Sequence, residues 1–313
     1  MYRIDGPGAT ADNKFTDGDP VGGVQATMVT EDWLNDVQEE LLSIMDAGGV
    51  LPAKGVRNQV LAALRVVARK QAGHGQCRLS VASATQLKLS PYNGSNILIN
   101  GFTYQIPAGG VTISNATLAA NTNYYVYVFI TGGALALFLS TTGHATHTDG
   151  VEIFAGDSNV TLVGMVRTNA SSQFVDSSTQ RFCINWFNRR NIQAINTFAS
   201  SRSTTSSSYV ELSSTERAQF LSWGDEGSLI SITAYASQNT VGTFGTQGNL
   251  DGTTPTSNAR ISPPTGQDSA CGSIGPVTAP EGFHYATIFG YAAAGFTATW
   301  TAGINSINVT TRG

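Results

Sequence analysis

Two periodicities divide the chain. Between residues 31 and 70 the apolar positions recur at helical spacing, whereas from Cys77 onward apolar and polar residues alternate at a period of two. Leu34, Val37, Leu41 and Ile44 follow one another at intervals of three, four and three, which predicts an amphipathic helix or the seam of a short coiled coil. Thr30 is placed to cap that helix, Glu31 and Asp32 favour the positive end of its dipole, and Gly48-Gly49 end it. Beyond Pro52, Val56, Val60, Ala63 and Val67 share one face of a second predicted helix.

The period-two region reads as two β domains. In NILINGFTYQI, Ile97 and Ile99 precede Asn100-Gly101 and Phe102, Tyr104 and Ile106 follow, which predicts a tight hairpin. YYVYVFI, ALALFLS and TLVGMV supply further strands, so that residues 76–176 form one compact β domain. Residues 177–208 read as a linker or neck: FCINWFNRRNIQAIN contains a possible short helix, and eight of the nine residues from Ser200 to Ser208 are Ser or Thr. Strands at YVEL, AQFLSW, SLISITAYA, HYATIFGYA, FTATW and SINVTT suit a β-sandwich, jelly-roll-like, over 209–313. The Gly-, Thr- and Asn-rich stretch from Ala236 to Phe283 reads as loop with one short strand near Ala259. The fold class is therefore mainly β with a short helical N-terminal segment and two antiparallel β domains.

Charge sharpens this division. Charged residues make up 12% of the chain, and residues 1–75 hold 17 of the 38. Residues 31–46 carry six acids and no base, while Lys54, Arg57, Arg65, Arg69 and Lys70 reverse the sign over 54–70. An acidic helix followed by a basic one is expected, their charges meeting within or between subunits. The β region is solvated mainly by hydroxyls and amides, or hidden in subunit contacts. A net charge of -4 gives no long-range attraction to nucleic acid. No apolar run reaches membrane-spanning length, and the start lacks a basic segment leading into an apolar one. A soluble chain made in a cytoplasm is expected.

Cys77, Cys183 and Cys271 lie far apart and read as buried thiols. His144 and His147 flank a turn near Asp149, but i, i+3 spacing on a loop assigns no metal. No P-loop, nucleophile elbow, dinucleotide fingerprint or H-E-x-x-H motif occurs, so neither catalysis nor a cofactor is expected. The loops between Ser237 and Glu281 mix adaptable polar groups with aromatic contacts, as antibody paratopes do, and Asn239, Phe244, Asn249, Asp251 and Arg260 are the candidate receptor-binding residues. Replacing Thr240 to Thr253 by a Gly/Ser linker is expected to leave the domain folded.

The ordered run YRIDGPGAT, FTDGDP, TEDWLNDVQEELLSIMDAGG and NQVLAAL, over about the first 70 residues, resembles the opening of tail fibre proteins of tailed phages and prophages. The segment from LSVASATQLKLSPYNG through TLVGMVRTNASSQF is similar to a β module of phage structural proteins, and EGFHYATIFGYA resembles strands of their small C-terminal head domains. The resemblance implies a virion-proximal N-terminal segment, 1–75, in which Trp33, Leu34, Val37, Leu41 and Ile44 serve attachment or trimerisation. It further implies a homotrimeric fibre in the virion, contacting other proteins of the tail, collar or portal region and a host cell-surface glycan or protein. A purely architectural appendage and a polysaccharide-degrading tailspike are the alternatives. The chain departs from longer fibres in having no evident coiled-coil shaft and no Gly-X-Y repeat.

Overall fold

The computed structural model describes residues 2–70 and 73–313 of the chain. Gln71 and Ala72, within the expected attachment segment, lie outside the described residues, as do the side chains of Arg69 and Lys70. The chain is mainly β, with two helices and 25 strands described, and it divides into two compact units, 1–72 and 73–313.

In the first unit, irregular chain leads into helix α1, Glu31–Ala47, and helix α2, Gln59–Lys70, packs against it. Thr30 occupies the extended N-cap position, but its hydroxyl makes no capping bond. The C-terminus of α1 forms as expected: the Gly48 and Gly49 amides donate back to the Ile44 and Asp46 carbonyls. Gly48 also lets α2 approach closely, because a Cβ there would fall 2.6 Å from the Ala63 Cα. Ile4, Met45 and Ala63 are the buried apolar residues of this unit among those described.

The second unit begins with a three-stranded antiparallel sheet, Cys77–Ser83, Gln86–Pro91 and Val111–Ser114. The expected hairpin pairs Asn96–Ile99 with Phe102–Gln105. Asn100 and Gly101 both take positive φ, 48° and 75°, as a two-residue turn with the twist of the strands requires. A six-stranded sheet follows, in which Asn123–Thr131 and Asp157–Arg167 are central neighbours. Residues 161–166 are buried throughout because both sheet faces are covered. One face packs on Leu79, Leu87, Ile97 and Phe174, the other on Ile184, Leu221 and Trp223.

The C-terminal part has two mainly antiparallel layers around one core, the first edged by a short parallel pairing of Gln180–Arg181 with Ala218–Ser222. One layer orders Ala218–Ser222, Gly282–Ala292, Phe244–Leu250 and Thr254–Ile261. The other orders Asn191–Thr197, Ser306–Arg312, Gly227–Thr233 and Ser273–Thr278. It continues past bends as Arg202–Thr204, Ala298–Trp300, Tyr235–Gln238 and Ser269–Ala270. Phe220, Phe244 and Ile288 from the first layer meet Ile230, Ile307 and Trp300 from the second.

Two segments differ from the expectation. Residues 177–208 contain no helix; Cys183–Asn185 extends the six-stranded sheet, while Asn191–Thr197 and Arg202–Thr204 are edge strands of the C-terminal layer. Ser and Thr suit an edge strand whose outer side faces water, so their density did not signal a linker. The Ala236–Phe283 stretch holds four complete strands and parts of two more, including Phe244–Leu250 in the interior of its layer. Gly245 and Gly248 belong there because a Cβ at either would meet atoms of the neighbouring strand at 2.8 and 2.5 Å.

Candidate functional site

The N-terminal unit carries a dense exposed apolar surface. Twelve of the 22 exposed large apolar side chains among the described residues lie between Tyr2 and Leu64. On α1, Leu34 and Leu41 are 54% and 44% exposed and stand two turns apart on one face. Val37 and Ile44 are half-buried, and Trp33 is held edge-on to Phe15 with ring centres 5.2 Å apart. Three of the five attachment candidates are thus partly covered within their own unit and two are open. On α2, Val60, Ala63 and Val67 are covered, while Leu61 and Leu64 are 50% and 48% exposed. No ion pair joins Arg57 or Arg65 to Asp32, Asp36 or Glu39.

The five receptor-binding candidates do not converge. Phe244 is 0% exposed within the C-terminal core and Asn249 is 4% exposed, so neither side chain reaches a surface. Their strand is buried at every position but Gln247 and has a paired neighbour on each side, so both lie inside. Asp251 is a structural strap: its carboxylate accepts from the Tyr285 amide at 3.0 Å and lies 2.7 Å from His284 Nδ1. Asn239 is exposed and its Oδ1 accepts from the Thr297 amide at 2.9 Å. Arg260 is exposed, with its guanidinium 4.2 Å from the Tyr291 ring centre and its Nε donating to the Tyr209 hydroxyl at 3.3 Å.

Arg260 belongs to an aromatic row that the candidate list omitted. Along Gly282–Ala292 the even positions enter the core, and Tyr285, Phe289 and Tyr291 face outward. Arg217 covers Tyr285 at 3.9 Å and is held by Glu211 through two bonds of 2.8 Å. Its pairing draws Glu211 below the usual carboxylate range, against the opposing effect of burial. Tyr285 and Tyr291 each lie under a guanidinium group, which places hydrogen-bond donors beside each ring. The signal was present in HYATIFGYA as period-two aromatics.

A second cluster, also missed, ties the two β parts together. His144 Nδ1 lies 2.5 Å from Glu152 Oε2, and its Nε2 lies 3.3 Å from Glu281 Oε2. Tyr125 donates to Glu281 Oε1 at 2.6 Å, and Thr146 donates to Glu152. The hydrogen bond to Glu281 raises the His144 pKa above its ordinary value, against burial and with help from Glu152. Burial works to raise the Glu281 pKa, but bonds from His144 and Tyr125 outweigh it and hold the pKa low. Each carboxylate already has two donors, an arrangement that joins strands rather than presenting a free acid and base. His147 sits apart, 2.9 Å from Asp149. Among the described residues no group of three or more His, Cys, Asp or Glu is placed to hold a metal.

No family model matches the chain. It is similar to "Uncharacterized protein StfP" of Escherichia coli (strain K12), 40% identical over 73 residues, which is 21% of this chain and 35% of that protein. The match thus spans about a third of the curated relative. Among solved structures, the Eiger TNF of S. frugiperda aligns with 38% of this chain and 91% of its own, at 10% identity and a TM-score of 0.30. The infectious bursal disease virus Gx strain structure aligns over 80% and 79%, at 11% identity and a TM-score of 0.27. The CBM36-1 domain of a xylanase from the hindgut metagenome of Trinervitermes trinervoides covers 38% and 96%, at 8% identity and a TM-score of 0.24.

Proposed function

We propose that this chain is a non-enzymatic structural subunit of a tailed-phage particle, a homotrimeric tail-fibre-like appendage held through its N-terminal unit. The carrying observation is the concentration of exposed apolar side chains on that unit, Leu34, Leu41, Leu61 and Leu64 foremost, around very few buried ones. A unit of this size cannot offset its conformational entropy with so small a core, and contiguous apolar surface marks an interaction site. The ordered N-terminal motifs resembling tail fibre openings point the same way. The distal part is read as a jelly-roll-like head, supported by a six-stranded and a four-stranded, mainly antiparallel layer packed on one core.

Changing Leu34 and Leu41 together to Asp tests the attachment role. Particles assembled with the variant should lack the protein, while its β unit retains wild-type thermal unfolding. Normal occupancy in the particle would remove the attachment role from this face.

The head carries the second half of the proposal, contact with a host surface glycan or protein. The Tyr209, Tyr291 and Arg260 cluster supports it, since aromatic rings beside hydrogen-bond donors suit sugar rings and peptide edges alike. Arg260→Ala in the full chain should leave incorporation intact and reduce adsorption to host cells. Unchanged adsorption would favour a purely architectural appendage, and release of reducing sugar from host envelope would identify a polysaccharide-degrading spike.

A further inference from the structure

We infer that residues 280–284, where the chain enters the long Gly282–Ala292 strand, form a latch closed by two protonated histidines, His144 and His284, and released when these lose their protons.

Each ring has an acceptor at both of its nitrogens. His144, on the strand His144–Thr146, faces Glu152 through Nδ1 at 2.5 Å and Glu281 through Nε2 at 3.3 Å. His284 faces Asp251 through Nδ1 at 2.7 Å and the Pro280 carbonyl through Nε2 at 2.8 Å. A neutral imidazole carries one N–H, so it satisfies one acceptor and turns a lone pair toward the other. Only the imidazolium donates to both. His284 is 6% exposed, which leaves little room for solvent to stand in for a missing donor. The two rings grip adjacent residues, Pro280 and Glu281, one from the six-stranded sheet of Asn123–Thr131 and one from the C-terminal layers.

The surrounding groups favour the charged rings. Glu281 accepts from Tyr125 and from the Gly224 backbone as well, and stays an anion facing His144. Tyr125 and Tyr127, the phenols on this side, are pushed above the usual range and stay neutral. Arg189 stacks on the same Trp186 ring as His144 but is taken up by Asp225 and Glu226. At His284, Phe220 packs on the ring with centres 5.8 Å apart, and the neighbouring Tyr285 is covered by Arg217, which Glu211 pairs. Burial works to lower the His284 pKa, but the bonds to Asp251 and Pro280 outweigh it and raise the pKa, as Glu281 and Glu152 do for His144. Both rings thus hold their protons below about pH 6.5 and lose them as pH rises through the raised folded values.

The release is local. Arg167 stacks on Phe283 at 3.9 Å, and Trp223 donates to the Asn185 carbonyl. Neither group changes charge near neutral pH, so the junction stays assembled while residues 280–284 loosen.

Hydrogen exchange of the full chain tests the latch through two reporters. The Tyr285 amide donates to Asp251, and the Gly224 backbone bonds Glu281, so peptides 279–287 and 222–226 read one ring each. After correction for intrinsic exchange rates, protection in both should fall about tenfold between about pH 6 and about pH 9, while the Asn96–Gln105 hairpin keeps its own. Protection that follows the hairpin throughout would overturn the inference. Carbon-13 shifts of the labelled histidine rings read the charge directly: both should report imidazolium at about pH 6.5, and a ring more than half neutral there would overturn it. Glu281→Gln and Asp251→Asn should each lower the titration midpoint of the histidine it faces, and an unmoved midpoint would count against the latch. Should either variant fail to fold, the wild-type titrations decide.

Discussion

His144 and Glu281, 137 residues apart in sequence, face each other at 3.3 Å across the junction between the six-stranded sheet and the C-terminal layers. The histidine is simultaneously held by Glu152, and its ring lies against Trp186 and Trp223, with centres 5.2 and 6.1 Å away. Arg189 reinforces the same junction, stacking on Trp186 at 4.4 Å and pairing with Asp225 and Glu226. The junction is thus a paired, aromatic-lined seam with a titratable centre.

The seam makes stability depend on pH in a defined direction. The His144 pKa is raised in the folded state, so its contribution is fully present below the ordinary imidazole value of about 6.5 and is lost as pH rises through the folded value. The Glu281 pKa is lowered, so its contribution is present above the ordinary carboxylate value and is lost as pH falls through the folded one. Thermal unfolding of wild type and His144→Ala should therefore differ most between those limits and converge in alkali. A difference that does not change with pH would show that the histidine is not charged in the fold.

Asn185 supports the seam from within. Its side-chain oxygen accepts from the Leu79 amide at 2.5 Å, its Nδ2 donates to the Leu79 carbonyl at 3.3 Å, and its own carbonyl accepts from Trp223 Nε1 at 2.9 Å. Asn185→Leu leaves the buried Leu79 groups without partners, which costs about 1–3 kcal/mol. Denaturant unfolding of the variant measures this, and a change below about 0.5 kcal/mol would mean that water or a shifted strand replaces the amide.

Phe244→Ala should destabilise the C-terminal layers by about 3–5 kcal/mol, because its ring fills the core beside Trp300, with centres 6.3 Å apart. Chemical denaturation provides the measurement. A receptor-contacting residue would instead leave stability unchanged and alter adsorption alone.

Replacing Thr240 to Thr253 by a Gly/Ser linker should abolish folding of the C-terminal layers, contrary to the expectation from composition. The segment contains the whole Phe244–Leu250 strand, which bonds to a neighbour on each side and buries Phe244 and Leu250. Loss of the cooperative unfolding transition is the expected result, and retention of wild-type cooperativity would place this strand outside the core.

What the sequence determined by itself was local. The change of period near residue 75, the ends of α1 and the hairpin at Asn100-Gly101 all depend on neighbours a few residues away, where spacing and turn chemistry act directly. The open stripe of Leu34 and Leu41 was legible for the same reason. Tertiary structure decided the rest. Phe244 and Asn249 sat in a stretch whose glycines and threonines resemble a loop, yet glycine is what central strand positions need where neighbouring strands come within 3 Å of a Cβ. Arg202–Thr204, within the Ser- and Thr-rich run, became an edge strand because Ala298–Trp300 supplied the ladder. The pairing of His144 with Glu281 and the stacking of Arg260 on Tyr291 required sheets to meet, and no periodicity records which distant side chains a packed sheet will bring together.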